Sequence, residues 1–180
     1  MENNFDKCTV YYDDTNKSSI FFAEQLGRHP NIEIKKASDY KDETMIVASD
    51  RIIGFVFPSE NGEIPYNIKH IMWKMIMKKS NDIFLVVSDG SREMRVIKSS
   101  MDILTARGYM ISHAYSKYIF EKLQVENPPE KVWEDLGNNE SAFMAHQQAT
   151  KGFSKRELRK YMQEDLKEYK KYKKRRKNQQ

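Results

Sequence analysis

Cysteine is almost missing from this 180-residue sequence, because Cys8 is the only one. A single thiol cannot form an internal disulfide, and it cannot build a cysteine-based zinc or iron–sulfur site. Chains without disulfides are typical of reducing compartments. We therefore expect a cytoplasmic protein in which Cys8 is a small buried residue of the first strand.

Long apolar segments and a leader signature are also missing. The first residues, MENNFDK, lack the basic and then apolar pattern of a signal peptide. No apolar run approaches the roughly 18 residues that are needed to span a bilayer. The sequence therefore predicts a protein without a membrane span.

The net charge of +5 is unevenly distributed. Residues 154–180 contain 12 Lys/Arg and 4 Asp/Glu, and the rest of the chain contains 19 basic and 22 acidic residues. This division predicts a mildly acidic domain over residues 1–153 and a basic helical tail over 154–180, with a frayed end. The stretch KKYKKRRK at 170–177 could contact an anionic partner, although a terminal charge run can also simply be solvated.

Short apolar runs alternate with helical repeats in the first two thirds of the chain. Helical spacing is found at 18–28, at 64–75 and from Met94 to Gly108, whereas 37–50 predicts no clear element. Strands separated by helices favour a parallel sheet with right-handed crossovers. The predicted strands are CTVYY (8–12), IEIKK (32–36), RIIGFVF (51–57), DIFLVVS (82–88) and YMISHAY (109–115).

Three loops, at 13–19, 58–63 and 88–92, follow strands of this predicted sheet. The segments RIIGFVFPSENGEIPYNIKHIM and VVSDGS resemble the second and third cofactor loops of the flavodoxin-like family. The resemblance covers roughly residues 7–120 and implies an α/β fold. Its doubly wound, five-stranded parallel sheet would have the order 2-1-3-4-5 and carry a helical C-terminal extension here. It also implies an FMN cofactor, a redox partner protein, and electron transfer or an FMN-dependent oxidoreductase activity.

The first loop departs from the family pattern Thr/Ser-x-Thr-Gly-Asn-Thr/Ser. Here it is Asp13-Asp14-Thr15-Asn16-Lys17-Ser18, so an asparagine replaces the glycine and an aspartate replaces the first hydroxyl. The amides at the start of the following helix would still face an anion. Asp13 would repel a phosphate, by roughly 1 kcal/mol or more at ~4 Å. By resemblance, the phosphate-binding residues are Thr15, Asn16, Lys17, Ser18 and Ser19.

The other two loops would flank the flavin ring. The resemblance assigns this role to Pro58, Ser59, Glu60, Asn61 and Gly62 in one loop and to Ser88, Asp89 and Gly90 in the other. The family places stacking aromatics in these loops, whereas neither 58–63 nor 88–92 contains one here. We nevertheless expect an FMN-binding electron-transfer protein, and the alternative is a flavodoxin-fold protein that has lost FMN and acts as a non-catalytic binding module.

Response-regulator receiver domains offer a second interpretation, because they share this strand order. In that interpretation Asp13 and Asp14 would hold Mg²⁺, with Ser88 and Lys117 near the other expected positions. The phosphoryl-accepting aspartate is missing, since Phe57 ends the third strand. Neither metal-ligand spacing among the four histidines nor a convincing catalytic acid or base was found.

Overall fold

The computed structural model describes residues 6–138 and six separate positions between 156 and 178. The chain divides into two compact units, Met1–Phe143 and Met144–Gln180. The strands are β1 (Cys8–Tyr12), β2 (Ile32–Lys36), β3 (Ile46–Val47), β4 (Ile52–Ser59), β5 (Met75–Ile76), β6 (Asp82–Gly90) and β7 (Ile111–Ser116). The α-helices are α1 (Lys17–Leu26), α2 (Tyr66–Lys74), α3 (Glu93–Ala106), α4 (Lys117–Lys122) and α5 (Pro128–Asn138).

The central sheet of the first unit has five parallel strands in the order β2-β1-β4-β6-β7. Counting only these five strands, the order is 2-1-3-4-5, so the predicted flavodoxin-like topology is confirmed. Every residue of β1 and β4 is buried. Such continuously apolar strands are expected where helices cover both faces of a parallel sheet.

Two apolar clusters lie on opposite faces of the sheet, because successive side chains of a strand point to opposite sides. Phe55 belongs to the cluster that also contains residues of α2 and α3, whereas its neighbour Val56 belongs to the cluster that contains residues of α1 and α5. Gly54 is required on the same face of β4 as Val56, because a Cβ atom at this position would overlap the ring of Phe84 on β6.

The region predicted to lack structure contains two short elements. A 3₁₀ helix covers Ala37–Tyr40, and β3 pairs with β5 in a separate two-stranded parallel sheet. Several predicted boundaries differ by one or two residues from the observed ones. For example, the fifth strand of the main sheet begins at Ile111 instead of Tyr109, and the third strand covers Ile52–Ser59 instead of 51–57.

Helix α5 is fixed to the central sheet by a buried carboxylate. Asp135 is 3% exposed, accepts a hydrogen bond of 2.8 Å from the Tyr115 hydroxyl, and lies 2.7 Å from Lys131 Nζ. On the same helix, the Trp133 ring stacks on His29 with the ring centres 4.3 Å apart. Because buried polar groups need partners, this network fixes the position of α5 together with the apolar contacts of the helix.

In the second unit, Arg156, Lys160, Lys167, Lys171 and Lys174 are helical and exposed. The predicted boundary at 153/154 and the rest of the basic tail lie outside the described residues. Among the residues that are described, no helix is both long and apolar enough to cross a membrane.

Candidate functional site

The three predicted loops meet at the edge of the sheet formed by the carboxyl ends of β1, β4 and β6. The hydroxyls of Ser19 and Ser88 lie 2.8 Å apart, which joins the start of α1 to β6. Ser59 at the end of β4 pairs with Gly90 at the end of β6. The sequence-predicted residues are therefore close together, as expected for the ligand-binding edge of a doubly wound sheet.

Asn16 is the N-cap of α1. Its Oδ1 atom accepts hydrogen bonds from the Ser19 N–H, at 3.0 Å, and from the Ser19 hydroxyl, at 3.3 Å. The backbone at Asn16 has a φ of −114°. The chain therefore does not need a glycine at this position, and Asn16 supplies the cap that helix starts favour.

Asp13 occupies the first loop with its own carboxylate. The residue is 3% exposed, and its Oδ1 atom accepts hydrogen bonds from the Thr15 N–H at 3.0 Å and the Thr15 hydroxyl at 2.7 Å. The buried Oδ2 atom has no hydrogen-bond partner in the described part of the chain. Backbone amides and hydroxyls of such a loop are the groups that bind phosphate, and here both donors of Thr15 are already used by an anionic side chain.

Asp14 connects the first loop to the 3₁₀ helix. Its carboxylate accepts hydrogen bonds from the Ser38 N–H at 3.0 Å and from the Ser38 hydroxyl at 2.5 Å. Burial opposes ionisation of Asp14, but the hydrogen bonds from Ser38 outweigh it and hold its pKa below the usual value. Ser38 was not predicted as part of the site, because 37–50 has no periodic signal that places it beside the first loop.

The acidic pair does not form a metal site in this structure. Asp13 binds Thr15 and Asp14 binds Ser38, so the two carboxylates have different partners. Across the described residues, no group of three or more His, Cys, Asp or Glu side chains is placed to hold a metal ion. The receiver-domain interpretation therefore gains no support from the geometry.

The second and third loops are joined to each other. The Ser59 hydroxyl donates a hydrogen bond to the Ser91 carbonyl and accepts one of 3.0 Å from the Gly62 N–H. Gly90 has a φ of +99°, and a Cβ atom there would overlap the Ser59 carbonyl oxygen. A glycine is needed at this close approach. An ion pair of 3.0 Å between Glu63 and Arg95 adds a contact between the second loop and α3.

The rim of the site is polar. Pro58 continues β4, Glu60 is exposed, and Asn61 has a φ of 54° in the turn before Gly62. Asp89 lies 3.5 Å from Lys117 Nζ.

The nearest aromatic residue after the second loop, Tyr66, is 71% exposed, and its ring lies beside that of His70. Behind the third loop, Glu93 accepts a hydrogen bond of 3.0 Å from the Tyr118 N–H. Burial raises the pKa of the Glu93 carboxyl.

These residues do not fit FMN as they stand. The two Thr15 donors in the phosphate loop bind Asp13, the loops that would flank the flavin ring are hydrogen-bonded together, and neither loop presents an aromatic side chain. Within residues 6–138, the side chains of Lys17 and Ser18 are the parts of the predicted phosphate site that have no hydrogen-bond or ion-pair partner.

Comparison with known proteins adds little to this geometry. No family model matches the chain, and a search of curated proteins finds no significant match. Among solved structures, the azoreductase from Bacillus anthracis str. Sterne has 12% identity and a TM-score of 0.47, over 74% of this chain and 98% of that one. A Bacteroides uniformis protein described as a flavoprotein has 10% identity and a TM-score of 0.46, over 66% and 97%.

The azoreductase AzrA has 13% identity and a TM-score of 0.43, over 73% of this chain and 97% of that one. Identities and TM-scores this low carry no argument about cofactor or activity. The flavodoxin-like fold of this chain is established by its own strand order, and its function has to be argued from the loops.

Proposed function

We propose that this chain is a flavodoxin-fold protein that works without FMN, as a non-catalytic binding module. The observation that carries the proposal is the Asp13 carboxylate, which accepts hydrogen bonds from both the N–H and the hydroxyl of Thr15. An anionic side chain at this position does what a bound phosphate would do, since it satisfies the donors of the loop. FMN would have to displace it.

Displacement is unfavourable for electrostatic reasons. Asp13 is buried, so its carboxylate can reach the solvent only if the loop rearranges. If it stayed in place, a phosphate charge about 4 Å away would be repelled by about 1 kcal/mol in water and by about 4 kcal/mol at a dielectric constant near 20. The first loop therefore opposes the group that normally anchors FMN.

The ring-binding side supports the same proposal. A flavin ring has to enter between the second and third loops, but Ser59 contacts Gly90 and binds Ser91 there. Opening this junction would break the Ser59 hydrogen bonds to Ser91 and Gly62, and no aromatic side chain in either loop would compensate by stacking.

FMN-dependent electron transfer, or an FMN-dependent oxidoreductase activity with a redox partner, is the second candidate. It is favoured by the free Lys17 and Ser18 at the start of α1, where the positive end of the helix dipole attracts anions. Thr15 is an exposed residue, and its hydroxyl would join them if Asp13 moved away. This candidate requires a loop conformation that differs from the one described here.

An anionic molecule that binds the basic tail is one candidate partner of the binding module. Residues 154–180 contain 12 Lys/Arg and 4 Asp/Glu, and Arg156, Lys160, Lys167, Lys171 and Lys174 are helical and exposed. A phosphate-bearing partner would bind such a basic segment in a strongly salt-dependent way. This part of the proposal includes the 170–177 stretch and is independent of the cofactor loops.

The test of the proposed function is a titration of the purified full-length protein with FMN. Binding is followed by quenching of FMN fluorescence and by the visible absorption spectrum. We expect a colourless protein and no saturable quenching at concentrations where flavodoxins are saturated. A yellow protein as purified, or saturable quenching that an excess of inorganic phosphate weakens, would reject the proposal in favour of the electron-transfer candidate.

A further inference from the structure

The end of the chain carries positive charge that acidic residues do not balance. Residues 170–177, KKYKKRRK, contain seven Lys/Arg, and positions 169–180 contain no acidic residue. We name residues 170–177 the basic run. Ion pairs within a helix join residues three or four positions apart. By that spacing only Lys171 has an acidic neighbour, Glu168, so six of the seven charges have none.

The described positions of the basic run belong to an exposed helix. Lys171 and Lys174 are both helical and exposed, and the Lys174 carbonyl accepts a hydrogen bond of 3.3 Å from the Asn178 N–H. Neither lysine has an ion-pair partner among the residues that the structure describes. Like charges three or four positions apart destabilise a helix, so a ligand that supplies several negative charges together would stabilise this one.

We propose that the basic run binds single-stranded nucleic acid. A nucleic acid has a phosphate at every nucleotide, and Lys and Arg side chains that contact these phosphates release condensed counterions, which drives binding. Residues 1–153 contain 19 basic and 22 acidic residues, so they would repel this ligand and the tail would hold it. The inference rests on the proposed function, since it names the anionic partner of the binding module.

Two tyrosines favour a single strand over a duplex. Tyr172 lies inside the basic run, and Tyr169 directly precedes it in the sequence. Proteins that bind single strands combine positive charge along the backbone with aromatic rings on which unpaired bases stack. The bases of a duplex are stacked on one another and would leave both rings unused.

The distribution of apolar residues argues against a membrane surface. A helix that lies in the membrane interface needs an apolar face and positive charge over the same turns. Leu158, Met162 and Leu166 belong to the segment 154–168, where five basic and four acidic residues nearly cancel. The basic run contains no Leu, Ile, Val, Met, Phe or Trp. The apolar residues and the excess charge are therefore in different segments.

An acidic protein is the remaining class of partner, and salt dependence distinguishes it from nucleic acid. If all seven charges contact phosphates of a single strand, the slope of log K against log salt concentration is about −5. Affinity then falls about a thousandfold between about 50 and about 200 mM salt. Carboxylates on a protein surface lie farther apart and hold no condensed layer of counterions, so the slope would be shallower.

The test is a titration of fluorescein-labelled RNA and DNA strands of about 20 nucleotides with the full-length protein, followed by fluorescence anisotropy. We expect saturable binding of these single strands. A tail variant replaces four lysines of the basic run: Lys170→Gln, Lys171→Gln, Lys173→Gln and Lys174→Gln. A matched control makes the same charge change at four exposed lysines of the first unit: Lys7→Gln, Lys41→Gln, Lys74→Gln and Lys78→Gln.

The tail variant should bind at least about a hundredfold more weakly than wild type at about 50 mM salt. Its salt slope should fall to about −2, because three charges of the basic run remain. The control should match wild type in both measurements. Circular dichroism melting of all three proteins shows whether the first unit is folded.

Tyrosine variants test the preference for a single strand. Tyr169→Leu with Tyr172→Leu should weaken binding of the single strands at least about fivefold, since one stacked base contributes that much or more. Tyr169→Phe with Tyr172→Phe retains the rings and should bind as wild type does. Binding of a duplex with the same sequence should be insensitive to both pairs of substitutions.

Several outcomes would overturn the inference. They are the absence of saturable binding at about 50 mM salt, equal losses in the tail variant and the control, and single-strand binding that the leucine pair leaves unchanged. Displacement of the strand by polyglutamate of equal total charge would assign the basic run to acidic peptides. Binding of anionic phospholipid vesicles without binding of nucleic acid would assign it to a membrane.

The FMN titration distinguishes a failure of this inference from a failure of the proposed function. A protein that binds both FMN and the strand would reject the proposed function but not this inference. A protein that binds neither would reject this inference and leave the proposal of an FMN-free module intact. The substitutions at 169–174 lie outside the cofactor loops and should leave the FMN titration unchanged.

Discussion

Replacing Asp13 by threonine should open the first loop to a phosphate. Threonine is the residue type that the flavodoxin-like pattern has at this position, and the substitution removes a carboxylate that accepts two hydrogen bonds from Thr15. The Thr15 N–H and hydroxyl would then be free to bind a ligand. We expect D13T to bind FMN more tightly than the wild-type protein does.

The size of the gain follows from Coulomb's law. A unit charge removed from a position about 4 Å from a phosphate charge is worth about 1 kcal/mol in water and about 4 kcal/mol at a dielectric constant near 20. These energies correspond to between about fivefold and about a thousandfold in affinity. Because Asp13 is buried, we expect a result in the upper half of this range.

A comparison with riboflavin separates the effect of Asp13 on phosphate binding from its effect on binding of the flavin ring and chain. It has the ring and chain of FMN without the phosphate, so D13T should not change its affinity. The assay is fluorescence quenching of each flavin by wild type, D13T and the exposed-charge control Asp42→Thr, with circular dichroism melting to show that all three fold. Equal gains for FMN and riboflavin, or no gain for FMN, would refute the role assigned to Asp13.

Three further substitutions test other parts of the structure. Gly54→Ala should destabilise the protein by about 1–3 kcal/mol in urea unfolding, because the added methyl group overlaps Phe84. Asp14→Asn should lower the unfolding free energy by about 1 kcal/mol at neutral pH through weaker bonding to Ser38. The pKa of Asp14 is lowered, so this difference should be complete above pH 3.8 and shrink at lower pH, and a constant difference would contradict the assignment. The pKa of Glu93 is raised by burial, so wild-type stability should fall as the pH rises above 4.5 through that pKa, and Glu93→Gln should flatten this part of the urea-unfolding profile.

The main sheet could be predicted because its signal is strong and local. Segments such as 52–57 and 83–87 are continuously apolar, and parallel strands buried on both faces need such runs. The β3–β5 sheet could not be predicted in the same way. Each of its strands has two residues, one buried and one exposed, and its pairing depends on contacts between distant parts of the chain.

The position of the candidate site was predictable from the sequence, but the hydrogen bonds within and between its loops were not. Strand order places the loops after β1, β4 and β6 at one edge, and the sequence contains that information. The repulsive effect of Asp13 on a phosphate was also predictable from its charge. Its hydrogen bonds to Thr15, the partnership of Asp14 with Ser38 and the junction of Ser59 with Gly90 depend on loop conformation, which has no periodic signal.

If the protein works without FMN, as proposed, its fold has to be stable without a ligand, and the hydrogen bonds of the first loop contribute to that stability. A phosphate-binding loop at a helix start leaves unpaired N–H groups, and buried unpaired donors cost about 1–3 kcal/mol each. In this chain, Asp13 and Asn16 accept those hydrogen bonds from Thr15 and Ser19. An FMN-binding protein instead needs donors that stay available in the free state. D13T could bind FMN and yet, without FMN, melt at a lower temperature than wild type. That result would show that Asp13 stabilises the ligand-free fold and lowers its affinity for FMN.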